Sequence, residues 1–140
     1  WTAFMYLHQG GTVVVQENVR SLDADDIWRT IEREKVLALS IVGDAFARPL
    51  IDQLDRATYD LSNLFVVGSG GALFSPENKR ALLERLPHLM VVDGFGASET
   101  GAQGATVTTA ATEVPPAFRM DEHTLVLSEA LDRIVAAGEE

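Results

Sequence analysis

Apolar residues come in short bursts separated by glycine, and the bursts alternate between two periods. Thr12-Val13-Val14-Val15, Val36 to Val42, Leu64-Phe65-Val66-Val67 and Leu89-Met90-Val91-Val92 are compact apolar or β-branched runs. Each predicts a short buried strand. Between them the spacing opens to three and four residues, which predicts helices. Ile27, Trp28 and Ile31 share one face of a helix capped by Asp23 or Ser21 and ending near Glu34. Phe46, Leu50, Ile51 and Leu54 form the stripe of a second helix, N-capped by Asp44 and running to about Arg56, with Pro49 in or near its first turn. Ser75-Pro76-Glu77 supplies a hydroxyl cap, a proline at the first helical position and an acid at the positive end of the dipole. A third helix therefore starts there and stops before Pro87. Trp1 to Gln9 reads as the end of an apolar helix closed by Gly10-Gly11.

Strands alternating with helices predict an α/β fold: a mostly parallel sheet flanked by helices, with Val13, Leu39, Val66 and Val91 in its central strands. The strand C-termini then gather at one edge, where open α/β sheets bind their ligands. Both glycine-rich segments, Gly68 to Ala72 and Gly94 to Gly101, follow strands and are expected at that edge. After Gly104 the alternation stops. Thr106 to Thr112 reads as strand and loop, Pro115-Pro116 punctuates, and Thr124 to Ser128 predicts a further strand. The final EALDRIVAAGEE suits either a helix or a hairpin strand. The expected organisation is a single partial domain, with residues 1–104 as the α/β core and 105–140 as a short β-rich C-terminal tail.

Composition narrows the function. The 140 residues, 46% hydrophobic, suffice for one core. With 11 basic against 21 acidic residues the net charge is −10, which turns the chain away from nucleic acid and anionic lipid and toward a small-molecule or protein partner. The absence of cysteine excludes thiolate catalysis, disulfides and cysteine-based zinc sites, and suits a reducing cytoplasm, the expected location. His8, His88 and His123 have no metal-ligand spacing. No apolar run reaches the roughly 18 residues of a membrane span, and no basic leader precedes an apolar stretch. The opening WTAFMYL reads as the interior of a longer chain. Its apolar side chains are expected to be exposed and to drive self-association.

The stretch GFGASETG, Gly94 to Gly101, carries the chemistry. As a nucleophile elbow it fails, because Thr100 stands where G-x-S-x-G needs its last glycine. The one downstream base for Ser98 would be His123, far along the chain, with Asp121 or Asp132 to orient it. Gly68-Ser69-Gly70 begins a dinucleotide fingerprint that Leu73 does not complete. Each glycine segment is also explicable as a tight turn without a ligand. Taken together they form a nucleotide kit: Phe95 and the bare backbone of Gly70, Gly71 and Ala72 sandwich a base, Ser98 donates to a phosphate oxygen, and Glu99 holds Mg²⁺. Elsewhere, plainer readings serve. Asp23, Asp25, Asp26, Glu32 and Glu34 form a solvated helix face, Trp28 a core residue, and Asp44 either a cap or part of a pocket wall.

GFGASETG resembles the Y-G-x-[TS]-E motif of the adenylate-forming acyl-CoA synthetases, and Ser69-Gly70-Gly71-Ala72 resembles that family's adenine-facing loop, one helix and strand earlier. The wording around them, VGDAFARPL and GSGGALFSPENKRALLERLP, is similar to actinobacterial fatty-acid and steroid-side-chain CoA ligases. The resemblance implies an internal piece of the large N-terminal domain of an ATP-dependent fatty-acid or related carboxylic-acid CoA ligase that works through an acyl-adenylate. It implies ATP, Mg²⁺ and CoA as cofactors, and a hydrophobic acid as substrate. Gly70, Gly71 and Ala72 would line adenine, Phe95 with Gly96 beside it would stack on the base, Ser98 would contact the AMP phosphate and Glu99 would bind Mg²⁺. Ser98 and Glu99 are thus the candidate catalytic residues. Ala97 would face the acyl group, where a small side chain leaves space for a bulky acid. Phe95 for Tyr keeps the ring, and Ser98 for Thr keeps the hydroxyl. A phosphate loop with its lysine, a T-G-D ribose motif and a C-terminal catalytic lysine are not found in the chain, so the isolated piece is expected to be inactive. The rival reading is a stand-alone α/β domain that binds a nucleotide or an acyl group in a regulatory role.

Overall fold

The computed structural model describes residues 2–112, 118–120 and 124–135. Helix α1 spans Thr2–His8 and α2 Ala24–Glu34; strand β1 (Ala38–Ile41) leads into α3 (Gly43–Leu54), β2 (Val66–Gly70) into α4 (Pro76–Arg85), and β3 (Met90–Ala97) into β4 (Gly101–Thr109) and β5 (Arg119–Met120). The five strands form one sheet in chain order. β1, β2 and β3 are parallel, and β4 and β5 return antiparallel. The α/β class with a β-rich end is therefore observed, and the three parallel strands all finish at one edge.

Because α3 joins β1 to β2 and α4 joins β2 to β3 along a straight strand order, crossovers of one hand place both helices on the same face. There they pack on each other, and α2 packs on α3. The strand side chains report this layer by alternation. Ile41, Val67, Ser69, Val91 and Asp93 are buried, whereas Ser40, Met90 and Val107, on the other pleat, are exposed. Trp28, Phe74, Leu64, Leu89, Val67 and Val91 form the centre of the core. Burying an indole needs a partner for its N–H, and Trp28 Nε1 donates to the Leu50 carbonyl at 2.9 Å, fastening α2 to α3. Beside it the Tyr59 hydroxyl donates to Asp25 at 2.6 Å and accepts from the Gln53 amide at 2.7 Å. Asp25, read as a solvated acid, is thus partly structural.

Several expectations are met at the level of local chemistry. Asp23 caps α2, accepting from the Asp26 N–H, and Ser75 caps α4, accepting from the Asn78 N–H with Pro76 just inside. Others are corrected. Thr12 to Val15 is not a strand, and Val15 is 75% exposed, since no sheet edge is offered to it and β-branched residues make a strand only when paired. Val13 accordingly lies in no strand. Asp44 is not the cap of α3; Val42 holds that position without a side-chain bond. Pro49 lies in the second turn of α3, where it withholds a donor from the Ala45 carbonyl. Phe46, expected on the buried stripe, is 39% exposed, and Ala47 takes the inward position. Thr124 to Ser128 forms only a bridge, Leu127 with Ile134, in a short antiparallel return. Asp121 and His123 lie outside the described residues.

The side chains Phe4, Met5, Tyr6 and Leu7 of α1 are exposed, as the apolar opening predicts. Trp28→Ala is expected to cost about 3–5 kcal/mol, since it empties a fully buried site and removes the tie to α3. Chemical denaturation measures it, and a loss under about 1 kcal/mol would show that α2 is not part of the cooperative core.

Candidate functional site

The site grows out of one register. β2 and β3 pair in parallel so that Gly70 stands directly beside Gly94, which puts the two glycine segments in contact at the same sheet edge. A side chain on Gly70 would bring its first carbon to 3.2 Å from the Gly94 carbonyl oxygen, a tight contact that bare backbone avoids. The strands also run further than the apolar runs suggest. β2 continues through Gly68-Ser69-Gly70, and β3 through Gly94-Phe95-Gly96-Ala97, so Phe95 sits on a strand and not in a loop. Pairing with a neighbouring strand overrides the weak strand preference of glycine.

Ser98, Glu99 and Thr100 form the turn between β3 and β4. The hairpin has a register shift between Phe95 and Gly96, and Gly96 is pressed so closely on the Gly101 carbonyl that no side chain could fit there. A bulge of this kind re-aims the strand end. It leaves Ser98 and Glu99 exposed at the hairpin tip, past the sheet edge. Phe95 is 41% exposed, and its ring lies 5.7 Å from that of Phe118 at a tilt of 36°. Phe118 brings a second aromatic to the site that the sequence, with Pro115-Pro116 just before it, did not single out.

The loop after β2 is held from below. Gly43, at φ +57°, turns the chain so that its N–H donates to the Ser69 hydroxyl at 3.1 Å and the next N–H, of Asp44, to the Leu73 carbonyl at 2.9 Å. The Asp44 carboxylate accepts from the Ser75 N–H at 2.9 Å and from the Ser75 hydroxyl at 3.1 Å. Burial pushes the Asp44 carboxyl up. The Asn78 amide, which approaches it without closing a hydrogen bond, the two Ser75 donors and the Arg48 charge outweigh that, and hold it below the ordinary 3.8. Asp44 therefore staples the loop containing Gly71 and Ala72 to the end of β1, in place of the capping role expected of it.

Two residues before Phe95, Asp93 enters a charged pair that sequence inspection missed. Lys79 Nζ on α4 bonds Asp93 on β3 at 2.8 Å, with both side chains 7% exposed, and the same ammonium lies 5.6 Å from the centre of the buried Phe74 ring. In sequence, Lys79 looks like a solvated helix residue and Asp93 like a strand terminator. Of the residues predicted for the site, Gly70, Gly71, Ala72, Phe95, Gly96, Ser98 and Glu99 all lie at this one edge. His8 on α1 and Asp132, bonded to Ser128, lie on other elements.

Two bare backbone segments, an exposed ring, a hydroxyl and a carboxylate at the C-terminal edge of a parallel sheet are the features of a small-molecule site in an open α/β domain. The chain belongs to the family of AMP-binding enzymes, whose profile matches residues 1–127. It is 44% identical over 140 residues to the medium-chain acyl-CoA ligase Mig of Mycobacterium avium, covering all of this chain and 26% of that protein. It is 36% identical over 137 residues to the 3-oxocholest-4-en-26-oate–CoA ligase of Rhodococcus rhodochrous, covering 92% of this chain and 24% of the relative. The chain thus spans about a quarter of the length of these relatives. Among solved structures, a nonribosomal peptide synthetase protein containing adenylation and PCP domains superimposes with a TM-score of 0.66 at 24% identity, over 91% of this chain and 26% of that one. A long-chain-fatty-acid-CoA ligase from Archaeoglobus fulgidus gives 0.63 at 21% identity, over 84% and 26%. These two likenesses show the fold.

Asp44→Asn is expected to destabilise the protein by about 1.5–3 kcal/mol at neutral pH, the range for hydrogen bonds to a charged group. Since the folded carboxyl titrates below its ordinary 3.8, this contribution is complete above that pH and is lost as pH falls through the lower folded value. Unfolding free energies of wild type and Asp44→Asn should therefore converge in acid. A constant gap from neutral pH down to about 2 would refute the staple.

Proposed function

We propose that the full-length protein is an ATP-dependent acid–thiol ligase that joins CoA to a fatty acid or another hydrophobic carboxylic acid. The observation that carries this reading is the Gly70–Gly94 pairing, which sets a bare loop and the Phe95-to-Glu99 segment side by side in a chain of the AMP-binding family. The ligase relatives support the substrate class.

On this reading Gly70, Gly71 and Ala72 offer backbone without side-chain bulk to one face of the adenine, and Phe95 offers its ring, with Gly96 keeping the strand end open. The Ser98 hydroxyl donates to the phosphate of AMP. Glu99 is an exposed carboxylate, and no group of three or more acidic, His or Cys side chains that could by itself hold a metal ion is present among the described residues. That donor set fits Mg²⁺, which takes one or two carboxylates and draws its remaining ligands from phosphates and water. When bound, the ion supplies positive charge to the phosphates. The acid's carboxylate oxygen attacks the α-phosphorus with loss of pyrophosphate, and the CoA thiol then displaces AMP from the acyl carbon. The chain's contribution is positional and electrostatic. Ala97 leaves room for a bulky acyl group. No helix among the described residues is long and apolar enough to cross a membrane.

Three outcomes follow. In the full-length protein Phe95→Ala should weaken ATP binding by roughly tenfold to a hundredfold, the value of one base–aromatic stack, while Phe95→Tyr is nearly silent. Equal affinities measured by calorimetry would remove Phe95 from the site. Glu99→Gln should lower ATP–pyrophosphate exchange steeply and CoA transfer from pre-formed acyl-adenylate much less; normal exchange would sink the metal role. The 140-residue chain alone should form no acyl-adenylate, and should self-associate through Phe4, Met5 and Leu7. A strictly monomeric species by light scattering at high concentration would contradict the latter.

A further inference from the structure

The polar row across the sheet edge is unusual for its depth. Ser69, Asp93 and Thr106 are register partners on β2, β3 and β4, on the helix-covered pleat, and each is 5–7% exposed. One step inward the same pleat carries Val67, Val91 and Thr108. A carboxylate in that row is costly to bury, and its partner Lys79 equally so; such a pair is a poor source of stability compared with apolar residues of similar volume. Its distinguishing property is direction, because a short charged contact holds two elements at one separation where apolar packing tolerates sliding.

The elements so held carry the two halves of the candidate site. α4 is capped by Ser75, which closes the Gly71–Phe74 loop and is gripped by Asp44. One turn later Lys79 passes the Phe74 ring of that loop and reaches Asp93. Asp93 stands two residues before Phe95 on the same pleat of β3, and Phe95 opens the bulge that aims Ser98 and Glu99. A continuous path therefore runs from the end of β1 through Asp44, Ser75, Lys79 and Asp93 to the hairpin.

We infer that Lys79 and Asp93 are a positioning pair that sets the gap between the Gly70–Ala72 loop and Phe95, and so the fit of the nucleotide between them. The role rests on the nucleotide reading of that edge. Neither residue touches the substrate; both act through the strand and loop they join.

Single variants leave one buried charge unpaired and can fail to fold, so the decisive variant of the full-length protein is Lys79→Met with Asp93→Leu, which keeps apolar volume. Hydrogen exchange without ligand is read at the amides of residues 94–101, with β1 as internal reference, beside thermal stability and the KM values for ATP and for the acid. The double variant is expected to unfold at the wild-type temperature, to exchange faster across residues 94–101 but not in β1, and to raise KM for ATP about tenfold with KM for the acid unchanged, since misplacement by about 1 Å costs up to a hundredfold. Asp93→Glu, which keeps the pair, should recover most of the ATP affinity. Wild-type exchange and wild-type KM for ATP in the double variant would overturn the inference, as would equal losses toward both substrates together with lost stability. A full-length wild type that activates no carboxylic acid with ATP would refute the ligase reading instead, and the exchange at residues 94–101 would still judge the pair.

Discussion

Everything at the candidate site depends on the parallel pairing of β2 with β3, which ends with Gly70 beside Gly94. A parallel ladder carries both strands out of the core in the same direction. Their continuations therefore emerge together, whatever the sequence between them. Glycine at position 70 allows the close approach, since a side chain there would crowd the Gly94 carbonyl. Slip β3 by one residue in that register and Asp93 would leave the covered pleat for the open one.

The remaining structure serves to keep that edge rigid. α2 and α3 are joined by the Trp28–Leu50 hydrogen bond, and α3 and α4 are joined at their N-terminal ends by Asp44 and Ser75 and at their C-terminal ends by the Arg85–Asp55 bidentate pair. The last of these is largely exposed and contributes little. The first two are more sheltered and fix where the loops start. α4 works as a bracket: its cap holds the glycine loop and its second turn holds the strand that bears Phe95.

On the proposed reading, that arrangement lets the candidate groups sit on an exposed hairpin tip. Ser98 and Glu99 are displayed past the sheet edge, yet Gly96 packs on Gly101 without space for a side chain, and the register shift at that point sets one direction for the turn. The proposed adenylation would ask for positioned charge and not for an activated side-chain nucleophile, and an open carboxylate and hydroxyl would suit it.

Local chemistry was legible in the sequence wherever a signal is short-range. Asp23 and Ser75 could be read as caps because a cap bonds an amide three residues away, and Trp28, Leu50 and Val91 could be read as core because periodicity places them on one face. The edge location of both glycine segments, and the family to which GFGASETG points, were likewise available from the chain alone. Strand pairing was not. Thr12 to Val15 has the composition of a strand but no neighbour, while Gly68 to Gly70 and Gly94 to Ala97 lack that composition and are strands because a neighbouring ladder supplies their hydrogen bonds. The long-range polar contacts were hidden for the same reason. Asp44 meets Ser75 across 31 residues and Lys79 meets Asp93 across 14, and nothing in a one-dimensional pattern tells an acid that will be buried and paired from one that will face water. Only the packing of α4 on the sheet decides which carboxylates lose their solvent, and so which must find a cation or a donor.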